Sequence, residues 1–212
     1  MKKLFQRLLI IDGSHTLHRS ICEPHLWEMV NQDGVKTGGV YGTLQSIKST
    51  AMAFNYYPVV VFAGGLSKRR LNIYPNYKKN EYKKMLLEGY VPTDEVHQLQ
   101  ERQQQEYKEQ RELLKIILPA MSIPVIQLDN WEGDDLIYVL SRLTRDSVIL
   151  SDDKDMFQLV EDNSEMRCRI KRGMRNEFID MNWFKDNELT TQAFIIRKAK
   201  VGDVSDNIPS AC

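Results

Sequence analysis

Eight carboxylates stand in four short runs of the chain: Asp12; Glu132, Asp134 and Asp135 within Glu132-Gly133-Asp134-Asp135; Asp153 and Asp155 within Asp153-Lys154-Asp155; and Asp203 and Asp206 within Gly202-Asp203-Val204-Ser205-Asp206-Asn207-Ile208-Pro209. Brought together, such groups raise one another's pKa values and oppose folding unless cations neutralise them. Oxygen-only donors favour hard ions, so the expected cofactor is Mg²⁺ or Mn²⁺ and not zinc. The complementary charge lies between Lys68 and Lys84, where Lys68, Arg69, Arg70, Lys78, Lys79, Lys83 and Lys84 face the single acid Glu81. Lys plus Arg and Asp plus Glu are equal at 29 each, so the sign of the charge is sorted by position and not by total. Alone this basic run reads as a solvated surface; beside an acidic site it becomes a candidate functional segment.

The elements that must position these groups are legible from apolar runs. Leu8-Leu9-Ile10-Ile11 is too short for a helix and stops at Asp12-Gly13-Ser14; Val59-Val60-Val61-Phe62 stops at Ala63-Gly64-Gly65; Pro124 to Leu128 stops at Asp129; Ser147-Val148-Ile149-Leu150 stops at Ser151-Asp152-Asp153. Each reads as a buried strand. Helical patterns over Val40 to Phe54, Glu95 to Leu118 and Asp134 to Leu143 separate them. The alternation predicts an α/β fold with a mainly parallel central sheet flanked by helices, whose sites form at the carboxyl ends of the strands. Met166 to Ile170 and Asn176 to Ile179 predict a small hairpin about Gly173. Ser67 to about Thr93 lacks an apolar period and is expected to project, and the Gln/Glu-rich run Gln98 to Glu112 to form a surface helix.

Other features carry less. Hydrophobic residues make up 42% and charged residues 27% of the 212 residues, and no run approaches the roughly 18 apolar residues of a membrane span. Met1 to Arg7 leads straight into a strand with no room for a signal peptide, so a cytoplasmic location is expected, and with no long heptad or uncovered apolar stretch a monomer is expected. Cys22, Cys168 and Cys212 read as ordinary thiols. Asp129, Asp146, Asp152 and Asp180 are read as turn or cap residues, no role is assigned to the histidines or tryptophans, and Gly38-Gly39 and Gly64-Gly65 lack the pattern of a nucleotide-binding loop.

Taken together, Leu9-Ile10-Ile11-Asp12-Gly13-Ser14, Tyr74-Pro75-Asn76-Tyr77-Lys78, Trp131-Glu132-Gly133-Asp134-Asp135, Ser151 to Asp155 and Gly202 to Pro209 resemble, in order and spacing, the motifs of the 5′-nucleases. That family includes flap endonucleases, phage 5′ to 3′ exonucleases and the amino-terminal domain of bacterial DNA polymerase I. The resemblance implies a PIN-like 5′-nuclease core over residues 1–200 with a helical arch at about 67–115, and residues 201–212 as the start of a helix-hairpin-helix module that is otherwise absent and that binds duplex DNA and K⁺ in the family. It implies an inner metal shell of Asp12, Glu132, Asp134 and Asp153, supported by Asp135, Asp155, Asp203 and Asp206, holding two or more ions. It further implies Lys78 acting on the phosphate, and Arg69, Arg70, Tyr77, Lys79, Lys83 and Lys84 on DNA bearing 5′ ends, flaps or single-strand/duplex junctions. Tyr74, Tyr77 or Tyr82 would stack on unpaired bases.

The chain departs from the pattern at Ala63, where the family has an aspartate after a strand, and at Glu81, where an arginine is usual. Alanine has no oxygen to offer a cation, so Ala63 is read as a deliberate inactivating substitution, with natural loss as the alternative. A noncatalytic DNA-binding relative is the competing function. A phosphatase of the haloacid dehalogenase type is disfavoured because Ser14 stands where its second aspartate belongs.

Overall fold

The computed structural model describes residues 5–79, 94–203 and 205–211. Its centre is β1 (Phe5–Asp12), with β2 (Tyr57–Val61) and β3 (Val125–Ile126) on one side and β4 (Thr144–Leu150), β6 (Arg167–Arg172) and β5 (Glu161–Asp162) on the other. Pairing is parallel from β3 through β6; β5 and β7 (Glu177–Ile179) run antiparallel to β6. The mainly parallel sheet and the hairpin about residue 173 are thus both present.

Side chains of a strand alternate between faces. On one face Leu8, Ile10, Val59, Val61 and Ile149 pack with α6 (Gly133–Leu143), the 3₁₀ helix Lys154–Leu159, α7 (Met181–Asp186) and α8 (Thr191–Val201). On the other, Leu9, Ile11, Val60, Val148 and Leu150 pack with α1 (Gly13–Cys22), α3 (Gly38–Phe54) and α5 (Asp94–Ala120). Covering both faces explains why the strands read as unbroken apolar runs. The short helix α2 (Pro24–Trp27) lies so close to the start of α3 that a Cβ on Gly38 would meet the Leu26 carbonyl oxygen at 1.9 Å. Among the described residues no helix is long and apolar enough to cross a membrane.

Two expectations change here. The helix α5 is only partly a surface element: Leu114 and Leu118 are fully buried, and Glu106 and Gln110 are largely so, the latter accepting a 3.0 Å hydrogen bond from the Val40 N–H at the start of α3. Asp146 is not a turn residue. It lies in β4 and accepts from the Tyr56 hydroxyl at 2.5 Å and from Arg167 at 2.5 and 3.1 Å, with Arg169 on the Tyr56 oxygen at 2.8 Å. Asp180 does cap a helix, accepting from the Asn182 and Trp183 N–H groups.

Burial opposes the charge of Asp146, but the hydrogen bonds from Arg167 and Tyr56 outweigh it and hold the carboxyl below its ordinary 3.8. A depressed pKa contributes stability above the unfolded value, and that contribution is lost as pH falls through the folded one. Asp146→Asn is therefore expected to cost about 1 kcal/mol in urea denaturation near neutral pH, with the difference from the parent chain closing in acid.

Candidate active site

Strand register delivers the acids to one edge. Asp12 is opposite Val61 and Ile11 opposite Leu150, so the residues following β1, β2 and β4 leave the sheet together. Asp12 caps α1: one oxygen accepts from the His15 N–H at 3.0 Å and the other from the Ser151 hydroxyl at 3.0 Å. Burial raises its pKa against these bonds. Glu132 stands at the cap of α6 with Asp134 and Asp135 in its first turn, where the helix dipole favours anions. Asp153 caps the 3₁₀ helix through the Asp155 N–H at 2.8 Å. Asp203 organises the turn that follows α8, accepting from the N–H groups of Ser205 and Asp206.

The eight acids fall into two groups. Asp135, Asp155, Asp203, Asp206 and Glu132 are each ion-paired by the chain itself. Arg70 clasps both oxygens of Asp135 at 2.7 and 2.9 Å and reaches Glu132 at 3.0 Å; Lys78 lies 2.9 Å from Glu132 and 3.4 Å from Asp206; Lys198 lies 2.6 Å from Asp155 and 2.8 Å from Asp203. Asp12, Asp134 and Asp153 have no Lys or Arg partner among the described residues. Burial, together with the charges of Asp153 and Asp12, pushes Asp134 up to about 7. For Asp203, burial is outweighed by Lys198 and Ser205, and its pKa falls to about 2. A cleft of about 480 Å³ opens here, lined by His15, Lys78, Asp134, Asp152, Asp153, Lys154, Asp155, Lys198, Asp203, Ser205 and Asp206.

Glu132, expected with Asp12 in the inner group, is buried in a cage of donors. Its oxygens accept from the Ser67 N–H at 3.1 Å, the Tyr77 hydroxyl at 2.8 Å and Lys78. Burial opposes its ionisation, but these bonds win and its pKa is lowered. The donors come from the segment expected to project. Residues 67–79, including α4 (Lys68–Ile73), lie against the site, with the Lys78 N–H on the Asp206 carbonyl at 3.0 Å and Asn207 on the Asn76 carbonyl at 2.8 Å. Tyr77 is 5% exposed, with its ring buried, and Arg70 pairs with carboxylates. Arg69 and Lys79 are exposed; Glu81, Tyr82, Lys83 and Lys84 lie outside the described residues. Among the described residues no three His, Cys, Asp or Glu side chains form a ready-made ion cage.

Sequence reading missed His15, Asp152 and Lys198. Asp152, read as a turn residue, is buried and ion-paired to Arg19 at 3.0 Å. His15 offered a signal only in its place on the first turn of α1, and Lys198 only in its nearness in sequence to Asp203.

Ala63 follows β2, its N–H on the Ser14 hydroxyl at 3.2 Å and its carbonyl accepting from Gln127 at 3.3 Å. The next residue is held tightly: a Cβ on Gly64 would meet the Leu128 carbonyl oxygen at 1.9 Å, and the Gly64 N–H donates to Trp131. Gly64→Ala forces backbone apart and is expected to cost about 2 kcal/mol, checked by thermal denaturation.

A model of the 5′-3′ exonuclease N-terminal resolvase-like domain matches residues 7–190. DNA polymerase I of Streptococcus pneumoniae is 27% identical over 212 residues, covering 96% of this chain and 22% of the polymerase. The 5′-3′ exonuclease of Aquifex aeolicus is 29% identical over 208 residues, covering 95% of this chain and 63% of that protein. The chain thus spans less than two thirds of the length of either relative. Among solved structures, the bacteriophage T5 flap endonuclease in a pseudo-enzyme–product complex with DNA and metal ions shares the fold, with a TM-score of 0.72 and 21% identity over 97% of this chain and 70% of that one.

Proposed function

Since the chain belongs to the 5′-3′ exonuclease family by its N-terminal resolvase-like domain, we propose that its architecture serves a structure-specific 5′-nuclease, an exonuclease or flap endonuclease that hydrolyses DNA phosphodiesters with two divalent ions. The observation that carries this reading is the trio Asp12, Asp134 and Asp153: carboxylates at one sheet edge that form no ion pair with Lys or Arg among the described residues, beside a segment rich in cations. The donor set is oxygen only and suits Mg²⁺ or Mn²⁺. Bound there, such ions would neutralise the phosphate and activate water for attack.

The chain's own groups have separable tasks in this reading. Asp12, Asp134 and Asp153 would hold the inner ion, with Asp155 and Asp203 offering oxygens to the outer one. The Asp12 carboxylate is kept in place by Ser151 and the His15 N–H, so it does not need to reorganise when a cation arrives. Lys78 supplies a positive charge at the rim, and on reaching the phosphate it would exchange Glu132 and Asp206 for it. Arg69 and Lys79, with Lys83 and Lys84, would hold the backbone of a 5′ strand, and residues 67–115 would form the arch about it. Ala63 leaves the site one carboxylate short, which supports weak cleavage by this chain.

The test is Mg²⁺-dependent cleavage of a 5′-end-labelled flapped duplex, with binding measured across a salt series. Cuts near the junction that vanish with chelator are expected, slow in this chain and faster with aspartate at position 63. A second reading, a noncatalytic DNA-binding relative, is favoured by Ala63 alone; it predicts salt-sensitive binding and no cutting in either form.

A further inference from the structure

The chain neutralises the outer part of its acidic site with its own lysine. Lys198, on α8, sets its ammonium 2.6 Å from Asp155 Oδ1 and 2.8 Å from Asp203 Oδ2. These acids belong to different elements, the 3₁₀ helix after β4 and the turn after α8. Two carboxylate oxygens therefore meet at one ammonium, at distances somewhat longer than a divalent cation's bond to oxygen. The lysine is not locked in: its side chain is 38% exposed and Asp155 is 30% exposed. Among the described residues no Lys or Arg forms an ion pair with the inner trio.

We propose that Lys198 is a built-in competitor for divalent cation at Asp155 and Asp203, so that the inner ion binds freely and the outer one only by displacing the ammonium. This rests on the metal-dependent reading above. Unlike a guanidinium fork, an ammonium on a flexible stem makes point contacts and can withdraw. The displaced charge would be released toward the cleft that Lys198 lines. Outer-site occupancy then depends on ion concentration more steeply than inner-site occupancy does.

The experiment is Mn²⁺ binding to the full chain, by calorimetry and by the resonance of free Mn²⁺, for the parent, Lys198→Met and Lys198→Arg. Methionine keeps the stem and removes the charge. The outer ion is expected to bind about tenfold more tightly in Lys198→Met, by loss of a neighbouring positive charge, with Lys198→Arg close to the parent. In chelator Lys198→Met is expected to melt lower, and added Mn²⁺ to restore it beyond the parent. Asp203→Asn is expected to lose the outer ion while keeping the inner one. Unchanged or weaker outer binding in Lys198→Met, or a melting loss that Mn²⁺ does not restore, overturns the proposal and leaves Lys198 as a clamp between two elements. If no variant binds Mn²⁺ at all, the metal-dependent reading falls with it.

Discussion

Ala63→Asp is expected to raise Mg²⁺-dependent cleavage of a flapped duplex by about 100-fold or more, the scale of a single well-placed electrostatic group at a reacting phosphate. Position 63 follows β2, whose Val61 pairs with Asp12 across the sheet, and its N–H is held by Ser14, so an added carboxylate would stand at the same sheet edge as the trio. It would bring another anion to a place where Asp12, Asp134 and Asp153 already repel one another, so the variant is also expected to melt lower than the parent in chelator and to gain more from added Mg²⁺. Initial rates with end-labelled substrate, set beside melting curves with and without Mg²⁺, separate the two effects. A variant that binds Mg²⁺ more tightly yet cuts no faster would favour the noncatalytic relative.

Asp134→Asn is expected to stabilise the metal-free protein by about 3 kcal/mol near pH 8, or roughly 10 °C in melting temperature, while abolishing stabilisation by Mg²⁺. The sign follows from proton counts. Burial and the charges of Asp153 and Asp12 push Asp134 up to about 7, against 3.8 for an ordinary aspartate, so between those values the folded chain holds a proton that the unfolded chain releases. This contribution to stability falls as pH rises through that window and is fully lost above the folded value. Asparagine carries no charge to be opposed. The parent chain in chelator should therefore lose stability from about pH 5 to pH 8, and the variant should lose much less. Melting curves across that range, with Mg²⁺ as a second axis, decide it; parallel pH profiles for the two proteins would mean that Asp134 is not held among uncompensated anions.

Much of this architecture was legible in the sequence because strand termini and chemistry coincide: an apolar run ending in Asp announces both a buried strand and a group at its carboxyl end. Asp12 and Asp153 were found that way, and Asp134 through its place at the start of a helix. What the sequence could not disclose was which acid meets which cation. Arg70 and Tyr77 were assigned to DNA through the family resemblance, yet each also satisfies Glu132, and no local pattern registers contacts 62 and 55 residues away. The same holds for Lys198, near Asp203 in sequence but distant from Asp155. Gln110 and Glu106 looked like solvent-facing residues of a polar helix until the first turn of α3 supplied an N–H for Gln110 to accept. Asp146 followed a polar pair and read as a turn, whereas its partners Tyr56 and Arg167 come from other strands or their approaches.

Glu132 offers a last consequence. One buried carboxylate gathers the Ser67 N–H, Arg70, Tyr77 and Lys78, all from a single stretch that leads out of the site. A cation that claims an oxygen of Glu132 must take it from these donors, and the stretch then loses its anchor. Linkage is reciprocal: whatever draws residues 67–79 away from Glu132 raises the affinity of that oxygen for a cation by the same factor. Should an ion bind at Glu132, its binding and the position of residues 67–79 would be one allosteric equilibrium, with that carboxylate as its fulcrum.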